Sequence, residues 1–301
     1  MRILITGGTG FVGSHLANYF TEAGHEVIVI GTKTEQKTKA AKYIGLHLSG
    51  LGAGRLTALG NIDVCFHQAA NNDTLDLDRD EMMLANYEAP VQFLSDIMLF
   101  CNCKKIVYAS SSAVYGNSPA PYKEDETPEV PLNPYGESKM EFDKWAMAVG
   151  RRTRGMSVVG LRYSNVYGIG EDHKGNRASM IYQLAKTMIK GGSPKLFRDG
   201  SQRRDWIYIK DVVTANLKAM EYTGSGIFNC GSGVATDFNT LVGIINKKLG
   251  TWINPTWIDC PFSDAYQTHT QADMSNAEKF LKFTPEYDVE RGISEMINLM
   301  L

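Results

Sequence analysis

The 301-residue sequence has no excess of either charge: 31 Lys and Arg stand against 33 Asp and Glu, a formal net charge of −2. Without a basic surplus, neither nucleic acid nor a membrane surface is expected as a partner. Cysteine is scarce. Five residues, an odd number in a long chain, make no disulfide framework, and the Cys101-x-Cys103 pair has no second ligand pair for zinc. No metal is expected, and the cytoplasm is the expected compartment. Long hydrophobic runs are also missing. Residues 3–21 carry no Asp, Glu, Lys or Arg, but Gly7, Gly8, Gly10 and Gly13 break the run among Thr6, Thr9, Ser14 and Asn18. A secretory leader or membrane span needs a continuous apolar stretch, so neither is expected. With 43% hydrophobic and 21% charged residues, disorder and coiled coil are poor readings, and this length needs no covalent staple. Glycine is the one surplus: 29 are present, where a typical ~7% would give about 21.

Short apolar runs at 2–6 (RILIT), 26–30 (EVIVI), 63–67 (DVCFH), 105–109 and 157–162 read as strands. Between them lie helical patterns at 11–23, a Lys-rich stretch reaching about 44, a long segment at 79–100, and one opening at Pro134 behind the cap Asn133. The strands show almost no polar alternation, as expected where helices cover both faces. Strand and helix in steady succession predict an α/β fold with a doubly wound parallel sheet. Past about residue 167 the rhythm loosens. Helical patterns at 176–190, 210–221 and 237–249, with prolines at 255, 261 and 285, suggest a smaller mixed domain. The expected division is 1–166, with returning segments near 205–232, and 167–301.

The first strand runs into Thr6-Gly7-Gly8-Thr9-Gly10-Phe11-Val12-Gly13 and then a helix. Glycines at 7, 10 and 13 allow a sharp turn and let the backbone approach a pyrophosphate lying at the helix N-terminus. Gly7, Gly10, Phe11, Val12 and Gly13 are therefore candidate cofactor contacts. The second strand ends Ile30-Gly31-Thr32-Lys33, with no carboxylate to bind a free ribose 2′-hydroxyl. Thr32 and Lys33 suit a 2′-phosphate, so NADP is favoured, while Glu35 keeps NAD open. Tyr135 and Lys139 lie at i and i+4, on one helix face. Such a pair arises by chance about once in a chain this rich in both types, and Tyr182–Lys186 is a second instance. Context separates them: Tyr135 follows a strand ending in Ser110-Ser111-Ser112, whose hydroxyls can bond a substrate oxygen, whereas Tyr182 reads as a mid-helix packing or surface residue. A neighbouring lysine and an oxidised nicotinamide would both favour the phenolate.

The set TGGTGFVG, FHQAA, YASSSAVYG, PYGESK and LRYSNVYG, spanning the chain in order, resembles the extended short-chain dehydrogenase/reductase family of nucleotide-sugar epimerases and dehydratases. The resemblance implies a Rossmann-type doubly wound parallel sheet holding the nicotinamide cofactor, and a smaller mixed α/β C-terminal domain holding a nucleoside-diphosphate sugar. It also implies a homo-oligomer, for which the segments 79–100 and 134–150 could pair. Ser111, Tyr135 and Lys139 correspond to the catalytic Ser/Thr, Tyr and Lys. Asn86 matches a cofactor-contacting position, and Tyr163 to Asn165 match cofactor- and sugar-contacting positions.

Departures narrow the reaction. The dehydratases carry Asp-Glu after the catalytic Thr, where Ser112 and Ala113 stand here, and the Asp that usually follows the third strand is not evident around His47 to Gly52. The runs DHKGNRAS, GGSPKLF, RRDWIYIKDV, GIFNCGSG and YQTHTQAD are similar to the ADP-glycero-manno-heptose 6-epimerases. That likeness assigns Lys174 as a second, partly desolvated acid/base, Arg204 to a diphosphate, and His173, Phe197, Asn165 and Tyr266 to substrate; those enzymes usually carry a basic residue where Ala265 stands. Other readings are a UDP- or GDP-hexose epimerase, a sugar-nucleotide reductase and a non-catalytic dinucleotide-binding scaffold.

Overall fold

The computed structural model describes residues 1–32, 38–39, 42–50, 52–74, 76–260 and 267–301. In chain order the elements are β1 (Arg2–Thr6), α1 (Phe11–Glu22), β2 (Glu26–Gly31), β3 (Lys42–Gly45), α2 (Ala53–Thr57), β4 (Val64–His67), α3 (Arg79–Met83), α4 (Ala89–Phe100), β5 (Lys105–Ser111), α5 (Pro134–Arg152) and β6 (Ser157–Tyr163). They continue as β7 (Asn165–Tyr167), α6 (Met180–Ile189), β8 (Lys195–Phe197), β9 (Arg203–Tyr208), α7 (Ile209–Glu221), β10 (Gly226–Cys230), β11 (Ala235–Asp237), α8 (Phe238–Leu249), β12 (Thr256–Ile258) and α9 (Val289–Met300).

Seven strands form one parallel sheet in the order β10-β6-β5-β4-β1-β2-β3. Successive side chains of a strand point to opposite faces. Accordingly Ile3 and Ile5 join one core with α1, α6 and α7, while Leu4 joins the other with α4 and α5. Both faces are buried, which is why the strands read as unbroken apolar runs. The chain leaves β1 in opposite directions toward β2 and toward β4, and such a reversal opens a crevice at the carboxyl ends of the strands. Small sheets β11-β9-β7 and β12-β8 stand beside the main one, and β10, far along the chain, pairs with β6 in the main sheet.

Three local expectations need correction. The Lys-rich stretch expected to stay helical to about residue 44 ends as β3, where Tyr43 and Ile44 pair with Val29 and Ile30. Edge pairing outweighs local helix propensity there. The long helix at 79–100 is interrupted by a wider turn at Leu84–Glu88, just ahead of Pro90, which has no N–H for the carbonyl four residues back. Helix α6 starts at Met180 rather than 176, because Asp172–Arg177 form a tighter turn containing Gly175 at φ 56°. Tyr182 thus sits in the first turn of α6, capped by Ser179, and is buried rather than mid-helix. All five cysteines are free.

Candidate active site

A cavity of about 620 Å³ lies at the carboxyl edge of the main sheet. Gly7, Gly10, Phe11, Val12, Gly13 and Thr32 line one part of it; Ser111, Tyr135 and Lys139 line another. The glycine turn is dictated by space as well as by dihedral angle. Gly7 has φ +66°, and a Cβ there would lie 2.6 Å from the Ala69 nitrogen; a Cβ on Gly13 would lie 2.3 Å from the Gly7 oxygen. At the N-terminus of α1, Gly10 supplies no side-chain cap and the first turn holds no acidic residue. Its N–H groups and positive dipole end therefore remain available to an anion.

Residues from two elements meet at the chemical part of the cavity. Asn133 caps α5 by accepting from the Gly136 N–H (2.9 Å), and the helical spacing then turns Tyr135 and Lys139 the same way. The Lys139 ammonium donates to the Ala109 carbonyl (2.9 Å) and lies 5.9 Å from the Tyr135 ring centroid. Ser111, the last residue of β5, accepts from the Ala113 N–H (3.1 Å) and hydrogen-bonds Tyr135. Burial raises the Tyr135 pKa, and the Ser111 hydrogen bond opposes it. In the absence of a bound nicotinamide, desolvation outweighs that hydrogen bond and favours the neutral phenol. Burial also lowers Lys139 to about 8, with Asp143 acting in the other direction. Asp143 is itself buried beneath the site, accepting from Tyr108 (2.9 Å), Ser110 (3.0 Å) and Arg162 (3.0 Å). His67, bonded to the Thr6 hydroxyl at 2.7 Å, falls to about 3 through burial and then the Lys139 charge, so its imidazole is neutral.

His173 and Lys174 also line the cavity. The Lys174 ammonium lies 2.8 Å from the carboxylate of Glu171 and 4.9 Å from the Phe11 ring centroid. Glu171 is fully buried and also accepts from the Gly168 N–H and from the Ser179 N–H and hydroxyl. Lys174 is therefore an ion-paired lysine whose side chain is mostly buried.

Other sequence candidates lie off the cavity wall. Asn86 is buried behind it, holding the Asn71 backbone by both N–H and carbonyl (2.7 and 2.8 Å) and the Ser138 hydroxyl (3.2 Å). Asn165 donates to the Asp205 carbonyl on the neighbouring strand β9 (3.1 Å), Arg204 is buried on β9, and Phe197 ends β8. All three belong to the small sheets rather than to the edge of the main sheet. Lys33 and Tyr266 lie outside the described residues.

The cavity adds residues that motif reading passed over, among them His47, Gln68, Glu81 and Arg177. Gln68 sits inside FHQAA, and Arg177 sits inside DHKGNRAS beside the candidates His173 and Lys174. Among the described lining residues, Lys139, Lys174 and Arg177 are the cations and Glu81 is the carboxylate, with Glu171 beside Lys174. No group of three His, Cys, Asp or Glu among the described residues could hold a metal, and no described helix is long and apolar enough to cross a membrane.

A family model for the NAD dependent epimerase/dehydratase family matches residues 3–231. Among solved structures, the Helicobacter pylori ADP-L-glycero-D-manno-heptose-6-epimerase is similar with a TM-score of 0.89 and 36% identity, over 99% of this chain and 96% of that one. The UDP-glucose 4-epimerase of Thermotoga maritima, solved with UDP-glucose, gives 0.90 and 26% over 100% and 98%. The UDP-N-acetylglucosamine 4-epimerase of Methanobrevibacter ruminantium M1 gives 0.90 and 26% over 99% and 97%.

Proposed function

We infer, from the premise that this chain belongs to the NAD dependent epimerase/dehydratase family, that it is a nucleotide-diphosphate-sugar epimerase acting on an ADP-glycero-manno-heptose or a close analogue. The observation that carries the reading is one cavity holding both the glycine turn and the Ser111–Tyr135–Lys139 group. The residues fit a nicotinamide dinucleotide: uncapped N–H groups at α1 suit its diphosphate, and Lys139 suits a ribose hydroxyl. When bound, that cofactor accepts a hydride from the sugar and returns it.

Tyr135 takes the proton from the sugar hydroxyl while Ser111 donates to the same oxygen and orients it. Lys139 holds its ammonium beside Tyr135 and stabilises the phenolate as it forms. The substrate passes through a ketone, and presenting its other face inverts the centre. Lys174, ion-paired with Glu171, is proposed as the proton donor and acceptor for the second configuration. His173, Asn165, Phe197, Arg204 and Tyr266 are proposed for the nucleotide-sugar portion. NADP is proposed over NAD, because Thr32 lines the cavity where β2 ends and the sequence Ile30-Gly31-Thr32-Lys33 there carries no carboxylate. Ser112 and Ala113 supply no acid/base pair for dehydration. A homo-oligomer in the cytoplasm completes the proposal; Leu84 and Leu99, exposed along 79–100, support the pairing of helices.

The test is native mass spectrometry of the purified protein, followed by incubation with a panel of sugar nucleotides. Retained NADP, and interconversion of heptose isomers without added cofactor or net change in nicotinamide absorbance, are expected. Interconversion of a UDP- or GDP-hexose instead would establish the second reading, which the likeness to the UDP-sugar 4-epimerases favours. Net consumption of reduced cofactor would mark a reductase.

A further inference from the structure

Three side chains from distant parts of the sequence close a ring of hydrogen bonds at the cavity wall. The Tyr163 hydroxyl donates to Gln68 Oε1 (3.1 Å), Gln68 Nε2 donates to Asn216 Oδ1 (3.3 Å), and Asn216 Nδ2 donates back to the Tyr163 hydroxyl (2.8 Å). All three bonds run in one rotational sense, an arrangement in which each polarises the next. Gln68 and Tyr163 line the cavity. Asn216 does not; it is fully buried on α7, and the same amide nitrogen also donates to the Val212 carbonyl (2.8 Å).

The ring spans the strand that carries Ser111. Gln68 directly follows β4, Tyr163 ends β6, and β5 lies between them. Helix α7 shares a core with α1, whereas α5 belongs to the core on the other face of the sheet. The ring therefore bounds the cavity on the opposite side from the helix bearing Tyr135 and Lys139.

We propose that Asn216 is a positioning residue for the dinucleotide: by closing the ring it fixes the Gln68 amide plane and the Tyr163 ring, and so sets how tightly the cavity holds NADP or NAD. The inference rests on the proposed use of the cavity as a dinucleotide site. With the ring closed, the Tyr163 proton is committed to Gln68, and burial raises its pKa against the opposing pull of Asn216 and Gln68. Tyr163, its hydroxyl held by Gln68 and Asn216, then does not compete with Tyr135 for protons. An open ring would leave a rotating amide and a phenol free to turn its hydroxyl into the site.

The test is calorimetric titration of NADP, and separately of NAD, into the cofactor-stripped full-length protein and its variants Asn216→Leu, Tyr163→Phe and the double variant, with melting temperatures alongside. Each single variant should weaken dinucleotide binding about tenfold, one well-formed hydrogen bond's worth. The double variant should bind within about twofold of the weaker single one, because either change already opens the ring. Losses that multiply, or an Asn216→Leu protein that melts lower but binds within about twofold of wild type, would overturn the proposal and leave Asn216 a packing residue. Should Asn216→Leu fail to fold, Tyr163→Phe and Gln68→Leu form the same comparison from the cavity side. If the wild-type protein binds neither NADP nor NAD, it is the reading of the cavity that falls, a result distinct from equal binding by wild type and variant.

Discussion

Replacing Lys139 by Met should make the protein more stable at neutral pH while abolishing turnover. Lys139 is 3% exposed, and burial lowers its pKa from 10.5 to about 8. At roughly 1.4 kcal/mol per tenfold change in proton affinity, keeping this ammonium in the folded state costs about 3 kcal/mol below pH 8. Methionine has a similar length and no charge, so the cost disappears. Against that stands the lost hydrogen bond to the Ala109 carbonyl, worth about 1–2 kcal/mol. The net expectation is a gain of about 1–2 kcal/mol at pH 7.

The sign with pH is specific. Between about 8 and 10.5 the unfolded chain holds the proton and the folded chain releases it, so wild-type stability rises with pH across that window. By pH 10 most of the wild-type penalty has gone, and the advantage of Lys139→Met should vanish or reverse by about 1 kcal/mol. Lys105, also lowered to about 8 by burial, is present in both proteins and cancels in the difference. Urea unfolding of both proteins at pH 7 and pH 10 measures it. A variant less stable than wild type at pH 7, or a difference that does not change with pH, refutes the burial cost assigned to Lys139. A protein both steadier and inactive is what a costly functional group leaves behind when removed.

Tyr135→Phe should lower isomer interconversion by about 10²–10⁴-fold with little change in melting temperature; undiminished turnover on the true substrate would end the acid/base assignment. Gly13→Ala pushes a Cβ to 2.3 Å from the Gly7 oxygen, so a loss of about 1–3 kcal/mol in unfolding and poorer dinucleotide retention should appear together. Arg162→Met removes a guanidinium 1% exposed, paired with Asp143 at 3.0 Å and with Glu129, and 4.8 Å from the Tyr115 ring centroid. Leaving the Asp143 carboxylate buried without its cation should cost about 3–5 kcal/mol in urea unfolding, and a loss under about 1 kcal/mol would contradict that. Thr32→Glu places a carboxylate where β2 ends and should shift binding from NADP toward NAD by about tenfold or more; calorimetry with both cofactors shows whether it does.

Much of this protein is legible from the sequence because it is local. Apolar runs such as RILIT and EVIVI announce strands covered on both faces, and Pro134 behind Asn133 announces a helix start. The glycines at 7, 10 and 13 and the Tyr135–Lys139 spacing mark a turn and a helix face, and the structure places both on one cavity. The family resemblance is borne out by the match over residues 3–231. What the sequence could not determine depends on which distant segments become neighbours. Strand β3 exists because Tyr43 and Ile44 find the edge of β2, against a lysine-rich local pattern. The Tyr135 pKa is raised because desolvation, a property of the whole fold, outweighs its hydrogen bond to Ser111. Asn165, Phe197 and Arg204 sit in motifs similar to sugar-binding ones but stand on the small sheets, where Ser164 and Val166 on either side of Asn165 line the cavity. Lys174 meets a buried Glu171, and Gln68 meets Asn216 across 148 residues of chain. Periodicity and dihedral preference act over a few residues and are written in order along the chain, whereas hydrogen bonds and burial between remote residues follow from the order of the strands.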